Sequence, residues 1–428
     1  MHFIIIFITF ISICDSQERI QKIEILGLKQ TQEKVVKREI IHRIGDVVDT
    51  VILKKERSLL LDLDLFAEVN IRQIKRNDSL ILSYEMKELL QNLFFPAGKK
   101  TDGLGWIVGP AYTSLNLAGL DIRIEAFYRT SIQPQWFETN EFLTSLSSPY
   151  LFDLPIQYDI SLLKLQSKNE IIGFEENSLH FKGEFQPVIS KYQRLLAHIE
   201  FFQIDHIGDK KYLSHTNKDY YSLPILGWIW DSRNQRINTH NGLYQEVSWG
   251  QSLNFASNIQ RFYQGTIDTR FFWSPSTQHI FLFSALSLFR IGASGFYNDR
   301  YFGGPNSYRI LNLDSTQHGQ SEILSSLEYR YEWFDKSPYR VNSLNIDSWW
   351  GLQNIFGIDF VSPIQSQSFY WNDIKNARKI IDPFVGLDLL IPGIDRLRFI
   401  LGLNTKKVEL NFSTGLFEKT QTQRWRSR

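Results

Sequence analysis

The chain has 428 residues, with 47 Lys+Arg against 46 Asp+Glu and a formal net charge of +1. That balance gives no global field for nucleic acid. Aromatic residues make up 14% (32 Phe, 18 Tyr, 11 Trp), yet mean hydropathy is −0.23 and no apolar run after residue 13 approaches the length of a membrane helix. The single cysteine, Cys14, excludes an intrachain disulfide and a zinc cluster. The nine histidines fall in no metal-ligand spacing. Many aromatics, alternating segments and no spanning helix suit a membrane β-barrel. A large soluble β-sandwich or lectin shares part of this composition.

Residues 3–13 (FIIIFITFISI) are nearly all apolar. About eleven residues are too few to span and suit a signal-peptide core. Cys14 and Ser16 supply small side chains, so a signal peptide over 1–16 with cleavage before Gln17 is expected. Lipidation at Cys14 is the alternative.

Residues 17–88 read as a small α/β domain. Ile20 to Leu26 alternates as a strand and Gly27 ends it. Thr31 is a candidate cap for a helix in which Val36, Ile40 and Ile44 recur, with Gly45 as its stop. Residues 51–65 give a second helix with Leu59, Leu60 and Leu63 on one face. Phe66 to Ile74 and Ser79 to Met86 form two alternating strands, for the order β-α-α-β-β. Residues 89–102 read as a linker, because Pro96 and Gly98 break regular structure.

From Gly103 the period becomes two. Ile122, Ile124, Ala126 and Tyr128 alternate with Asp121, Arg123, Glu125, Phe127 and Arg129. Leu327, Tyr329, Tyr331 and Trp333 alternate with Glu328, Arg330 and Glu332. Ile267 is opposed to Asp268 and Arg270, and Lys407 to Phe417 is the last clear case. An apolar face and a charged face on one strand suit lipid outside and water inside. About fifteen candidate strands stand between Gly103 and Phe417, and even counts in bacterial barrels raise the expectation to sixteen. The fold class is therefore mainly β: a transmembrane antiparallel barrel over 103–417 behind one small βααββ domain, with a tail over 418–428.

One stretch stands apart. In DRYFGGPNSYRI, Gly303, Gly304 and Pro305 force a special backbone path just ahead of Arg309. If the loop folds into the barrel, the guanidinium needs an anionic partner. Glu328 and Asp347, on the following strands, are the candidates. A surface hairpin with a solvated Arg309 is the other reading, in which those acids are two of many lumen charges.

This stretch resembles the inward-folded loop of the BamA/TamA-type outer-membrane insertase and translocase superfamily, the bacterial surface antigen family. There the pattern is Gly-Gly, a few residues, then Arg-Gly-aromatic; here Ile310 and Leu311 follow the Arg. Residues 19–88 resemble a polypeptide-transport-associated (POTRA) domain. SLNLAG, with Asn116 and Gly119, is similar to the family's Asn-Leu-x-Gly turn. DSRNQRINTHNG, with Asp231, Arg233 and Gly242, is similar to its Asp-x-Arg-Asp…Gly signature, with Asn234 in place of the second Asp. Asp347 resembles the acid of its Phe-x-Asp-x-Gly segment.

The resemblance implies a loop lock of Gly303, Gly304, Arg309, Glu328 and Asp347. It also implies a weak seam between first and last strands. That seam is expected between Gly105 to Tyr112, where Gly105, Gly109 and Pro110 pair poorly, and Val408 to Phe417, with Phe412 and Phe417. The implied function is insertion of outer-membrane proteins, or translocation of polypeptides, in a Gram-negative outer membrane with the N-terminal domain in the periplasm. Implied partners are outer-membrane lipid, unfolded outer-membrane or secreted clients, and periplasmic chaperones or accessory assembly proteins. No nucleic acid or cofactor is expected. A passive porin or receptor barrel is the alternative. An enzyme is not expected: there is no Gly-x-Ser-x-Gly, metal-binding histidine motif or nucleotide loop.

Overall fold

The computed structural model describes residues 18–76, 79–101, 105–132, 137–170, 173–208, 218–234, 238–255, 261–292, 300–301, 318–342, 346–364, 371–377, 379–392, 395–404 and 407–414. No helix among them is long and apolar enough to cross a membrane.

The N-terminal elements follow the expected order: β1 (Ile20–Leu26), α1 (Glu33–Glu39), α2 (Thr50–Asp62), β2 (Phe66–Arg76) and β3 (Ser79–Glu88). β3 lies in the middle, parallel to β1 and antiparallel to β2. Alternate residues of the strands meet the helices in one core, including Ile20, Val36, Leu60, Leu82 and Tyr84. Leu115, from a turn of the barrel, is part of the same core.

Two helix details differ from the sequence reading. α1 stops at Ile40, whose backbone is already extended, and Ile44 lies beyond it and exposed. The cause is Glu56 on α2. Its fully buried carboxylate accepts the N–H groups of Ile41 (2.6 Å) and His42 (2.7 Å), donors that a longer helix would keep. It also receives the Tyr84 hydroxyl (2.7 Å) and meets His42 Nδ1 at 2.9 Å. Burial, and then this hydrogen bond, pushes the Tyr84 hydroxyl well up. Thr31 is not the cap of α1; Gln32 holds that position without a side-chain bond.

The barrel begins earlier than 103. β4 (Asn92–Thr101) occupies the expected linker, followed by β5 (Gly105–Ser114), a short turn of 3₁₀ helix at Leu117–Gly119, β6 (Arg123–Ile132) and β7 (Phe137–Ser148). Next come β8 (Ile156–Asn169), β9 (Phe174–Ser190), β10 (Gln193–Ile207), β11 (Lys218–Asp231) and β12 (Gly242–Gln251), which β13 (Leu253–Asn254) continues. β14 (Phe262–Ser276) and β15 (His279–Gly292) precede a two-rung ladder of β16 (Arg300–Tyr301) with β17 (His318–Gly319). β18 (Ser321–Val341), β19 (Ile346–Ile364), the short helix α3 (Trp371–Asn376), β20 (Ile380–Ile391), β21 (Asp395–Asn404) and β22 (Lys407–Thr414) complete the chain. With β12 and β13 counted as one, sixteen antiparallel strands close into a barrel in which β22 meets β4.

Pro96 and Gly98 suggested a linker, but they lie within β4, and Pro96 faces Pro110 in register. Proline forfeits a ladder donor and gathers toward sheet edges. Both prolines here stand at or next to the closure. The expected seam therefore moves by one strand: Gly105, Gly109 and Pro110 are on β5, not on the closing strand. Gly109 has a packing reason of its own, since a Cβ there would meet Tyr128 O at 1.9 Å.

We expect Glu56→Ala to strand several buried donors at once. Losing a buried charged partner costs roughly 3–5 kcal/mol. Hydrogen exchange on the full chain should show lost protection at Ile41 and His42 while the β8–β9 ladder keeps its own. Unchanged exchange at both amides would contradict this account of α1.

Candidate functional site: the lumen wall and the docked domain

Strand alternation sends two chemistries to opposite sides. Exposed side chains on the outer face include Phe142, Phe201, Trp249, Phe271, Trp273 and Phe283. The inner face carries paired charges. Arg129 faces Glu141 across β6 and β7 and donates to it at 2.6 Å. Arg398 faces Asp388 across β20 and β21 and holds it with two bonds, of 2.7 and 2.8 Å. Cross-strand opposite charges stabilise a sheet, and bidentate pairing fixes geometry as well.

The acids concentrate on one wall. Glu322, Glu328 and Glu332 project from β18, Asp359 from β19, and Asp382 and Asp388 from β20, all buried. Glu328 receives Arg330, and Arg398 from three strands away at 3.1 and 3.2 Å. Asp359 and Asp382 stand directly opposite each other. Like charges so placed repel, and a guanidinium between them offsets that repulsion.

Asp347 is elsewhere. Its register partner is Arg340, whereas Glu328 faces Gly357. Ten residues of strand separate those rungs, roughly 30 Å at the usual rise. One arginine cannot hold both acids, so of the expected arrangements, Arg309 with Glu328, with Asp347 or with both, the last is excluded. Asp359, two residues from the Glu328 rung, is the acid that alternation alone passes over. The available signal was an acid inside an apolar run, in FGIDFV and again in IIDPF. Gly303, Gly304, Arg309 and Phe417 lie outside the described residues. Phe412 is on β22, opposite Phe399.

The segment between β11 and β12 is built and turned inward. Asp231 accepts two bonds from Arg233, both 2.8 Å, and one from Arg194 at 2.7 Å. The Asn234 side chain accepts the His240 and Asn241 N–H groups. Asn238, fully buried, donates to Glu332 on β18 and accepts from Gln353 on β19 at 2.7 Å. His240 Nε2 reaches the same Glu332 at 3.1 Å. Gly242 opens β12. A motif that reads in sequence as a turn signature is thus a strut across the inside of the barrel.

The N-terminal domain is docked at the end of the barrel that carries these turns. The SLNLAG turn is the joint. Asn116 donates to Thr31 Oγ1 (2.9 Å) and accepts the Asp121 N–H (2.7 Å). Gly119 gives its carbonyl to Gln32 N. Its φ is +76°, and a Cβ there would lie 2.2 Å from Gln30 O, so no other residue fits. Asp64 meets Arg123 at 3.1 Å and Asp62 meets Lys336 at 2.8 Å, all four buried or nearly so. Lys336 has φ of +41° and sits where β18 shifts register twice; such a bulge re-aims a side chain. Trp349, fully buried, packs with Ala67, Leu89 and Leu390.

These features define a class: a transmembrane barrel with buried charge on its inner face and a βααββ domain fixed to its turn end. Solved structures with the same fold include BamA from Haemophilus ducreyi lacking POTRA domains 1–3, at 13% identity and a TM-score of 0.55, covering 92% of this chain and 83% of that one. CdiB from Acinetobacter baumannii aligns at 13% identity and TM-score 0.58 over 93% of this chain and 73% of that one. CdiB from Escherichia coli aligns at 12% and 0.59 over 92% and 76%. No family model matches the chain. No curated protein matches it by sequence.

Glu332→Ala should free the inward turn: losing hydrogen bonds to a charged group costs about 1.5–3 kcal/mol. Amide exchange across Asn238–Gly242 should then rise roughly tenfold or more; exchange at the wild-type rate would mean that Glu332 does not hold the strut. At the docked domain, Asp62→Lys should broaden the spin-label distance between the domain and the barrel, and adding Lys336→Asp should narrow it again. No recovery in the double variant would remove this pair from the joint.

Proposed function

We propose that this chain is an outer-membrane barrel that inserts proteins into the membrane or translocates polypeptides across it, with its N-terminal domain in the periplasm and no chemistry of its own. The observation that carries this reading is the domain-plus-barrel fold, shared with BamA and CdiB over more than nine-tenths of the chain. Burial of polar and charged side chains on the inner face supports it against a passive porin. Ser284, Ser326, Glu328 and Asp388 face inward yet are buried, whereas a porin lumen is a water-filled channel. Its clients are unfolded outer-membrane or secreted chains, met first at the docked domain, with periplasmic chaperones or accessory proteins delivering them.

In this reading Arg309 enters the barrel and is held at the acidic wall, by Glu328 and the facing pair Asp359 and Asp382 rather than by Asp347. The seam lies between β4 and β22, where Pro96 weakens pairing.

Reconstitution tests the function. Vesicles holding the purified chain should speed membrane insertion or protected uptake of an unfolded client, without admitting small sugars. Sugar permeation alone, with no effect on any client, would favour the porin. Arg309→Ala should lower client yield and abolish the heat-dependent gel mobility shift. Wild-type yield and an unchanged shift would remove the arginine lock.

A further inference from the structure

The docked domain touches the barrel rim at the β7–β8 turn. Lys34 and Arg38 of α1 engage Asp153, in the β7–β8 turn, and Arg38 lies 4.2 Å over the Tyr150 ring. Lys55 of α2 lies within electrostatic range of Tyr192, in the β9–β10 turn. Tyr192 packs on Trp230 at 5.7 Å, and Trp230 on Trp228 at 6.1 Å. Ile229 between them is fully buried on the inner face, so both tryptophans face outward. Tyr and Trp gather where a membrane meets water. This cluster therefore marks the headgroup level on the side of the docked domain.

The connector between α1 and α2 follows Arg38 in the chain and leads to Lys55. Here the domain presents apolar residues to the outside: Ile44 is 68% exposed and Val51 72%. On the rim, next to Asp153, Phe152 is 90% exposed. One exposed valine needs no explanation. Exposed apolar side chains on the domain and on the rim turn that α1 engages do. Lys54 and Lys55 follow Val51 on the exposed part of α2. Apolar tips followed by lysines are the pattern of a surface that lies in a membrane interface. Asp46 and Asp49 on the same connector limit the electrostatic attraction, so apolar contact does most of the holding.

We propose that the connector and the first turn of α2 rest on the periplasmic leaflet of the membrane the barrel spans. Ile44 and Val51 enter the headgroup region, and Lys54 and Lys55 pair with phospholipid phosphates. The inference rests on the transmembrane reading above. It adds a lipid contact to the domain's contacts with the barrel and makes its seating depend on lipid.

The test uses the full chain in nanodiscs, with Cys14 replaced by Ser and single fluorescent probes at Val51→Cys, Gln73→Cys and Phe271→Cys. Gln73 is exposed on β2 and Phe271 faces outward on β14. Brominated phospholipid should quench the Val51 and Phe271 probes and spare the Gln73 probe. Adding phosphatidylglycerol should deepen quenching at Val51 at least twofold, and Lys54→Glu with Lys55→Glu should remove that increment. A Val51 probe no more quenched than Gln73, beside a quenched Phe271 probe, overturns the proposal and leaves the patch to a protein partner. An unquenched Phe271 probe overturns the transmembrane reading itself.

Discussion

Buried charge on one strand organises the molecule. Glu328, Glu332 and Lys336 stand four residues apart on β18, and each must be paired, because an isolated ion inside a protein is costly. Glu328 takes Arg398 from β21. Glu332 takes Asn238 and His240 from the inward turn. Lys336, re-aimed by the bulge, takes Asp62 from the docked domain. Far wall, strut and domain are thereby fixed to a common support, and a displacement of β18 is felt at all three.

The two faces of the barrel follow from the same constraint. Lipid on the outside forbids charge there, and a closed sheet leaves no unpaired edge in the membrane. Most charges on the barrel strands are driven inward, with Lys164, opposite the outward Phe142, an exception, and an inward charge must find a partner across the lumen or on the next strand. Arg129 with Glu141 and Arg398 with Asp388 solve this locally. On the wall of β18 to β20, Arg330 meets Glu328, and Arg398 meets both Glu328 and Asp388. The chain between β15 and β18 carries Arg309, which the proposed reading sends to this wall.

Much of this was legible in the sequence, because period-two alternation survives wherever one face meets lipid. The βααββ order was legible for a similar reason, from periodic apolar residues bounded by glycines. What escaped detection shares a cause: side chains acting at long sequence range. Glu56 reads as an ordinary helix acid, yet it ends α1 by capturing Ile41 and His42. Pro96 and Gly98 read as breakers, yet they belong to a strand whose partners lie at the closure. Asn116, Asp231 and Gly242 form a recognisable pattern, but which surfaces they join depends on Thr31, Arg194 and Glu332, far away in the chain. Asp347 stood out over Asp359 because sequence proximity to Arg309 says little about height along a strand.

The most direct test of the central claim is depletion of the protein in its own host, followed by quantitative proteomics of the outer membrane and the secreted fraction. The account predicts a fall in client proteins. A broad loss of other barrel proteins marks a general insertase, and loss of one surface or secreted protein marks a dedicated translocator. Unchanged levels of every outer-membrane and secreted protein would contradict the account and return the chain to the class of passive barrels.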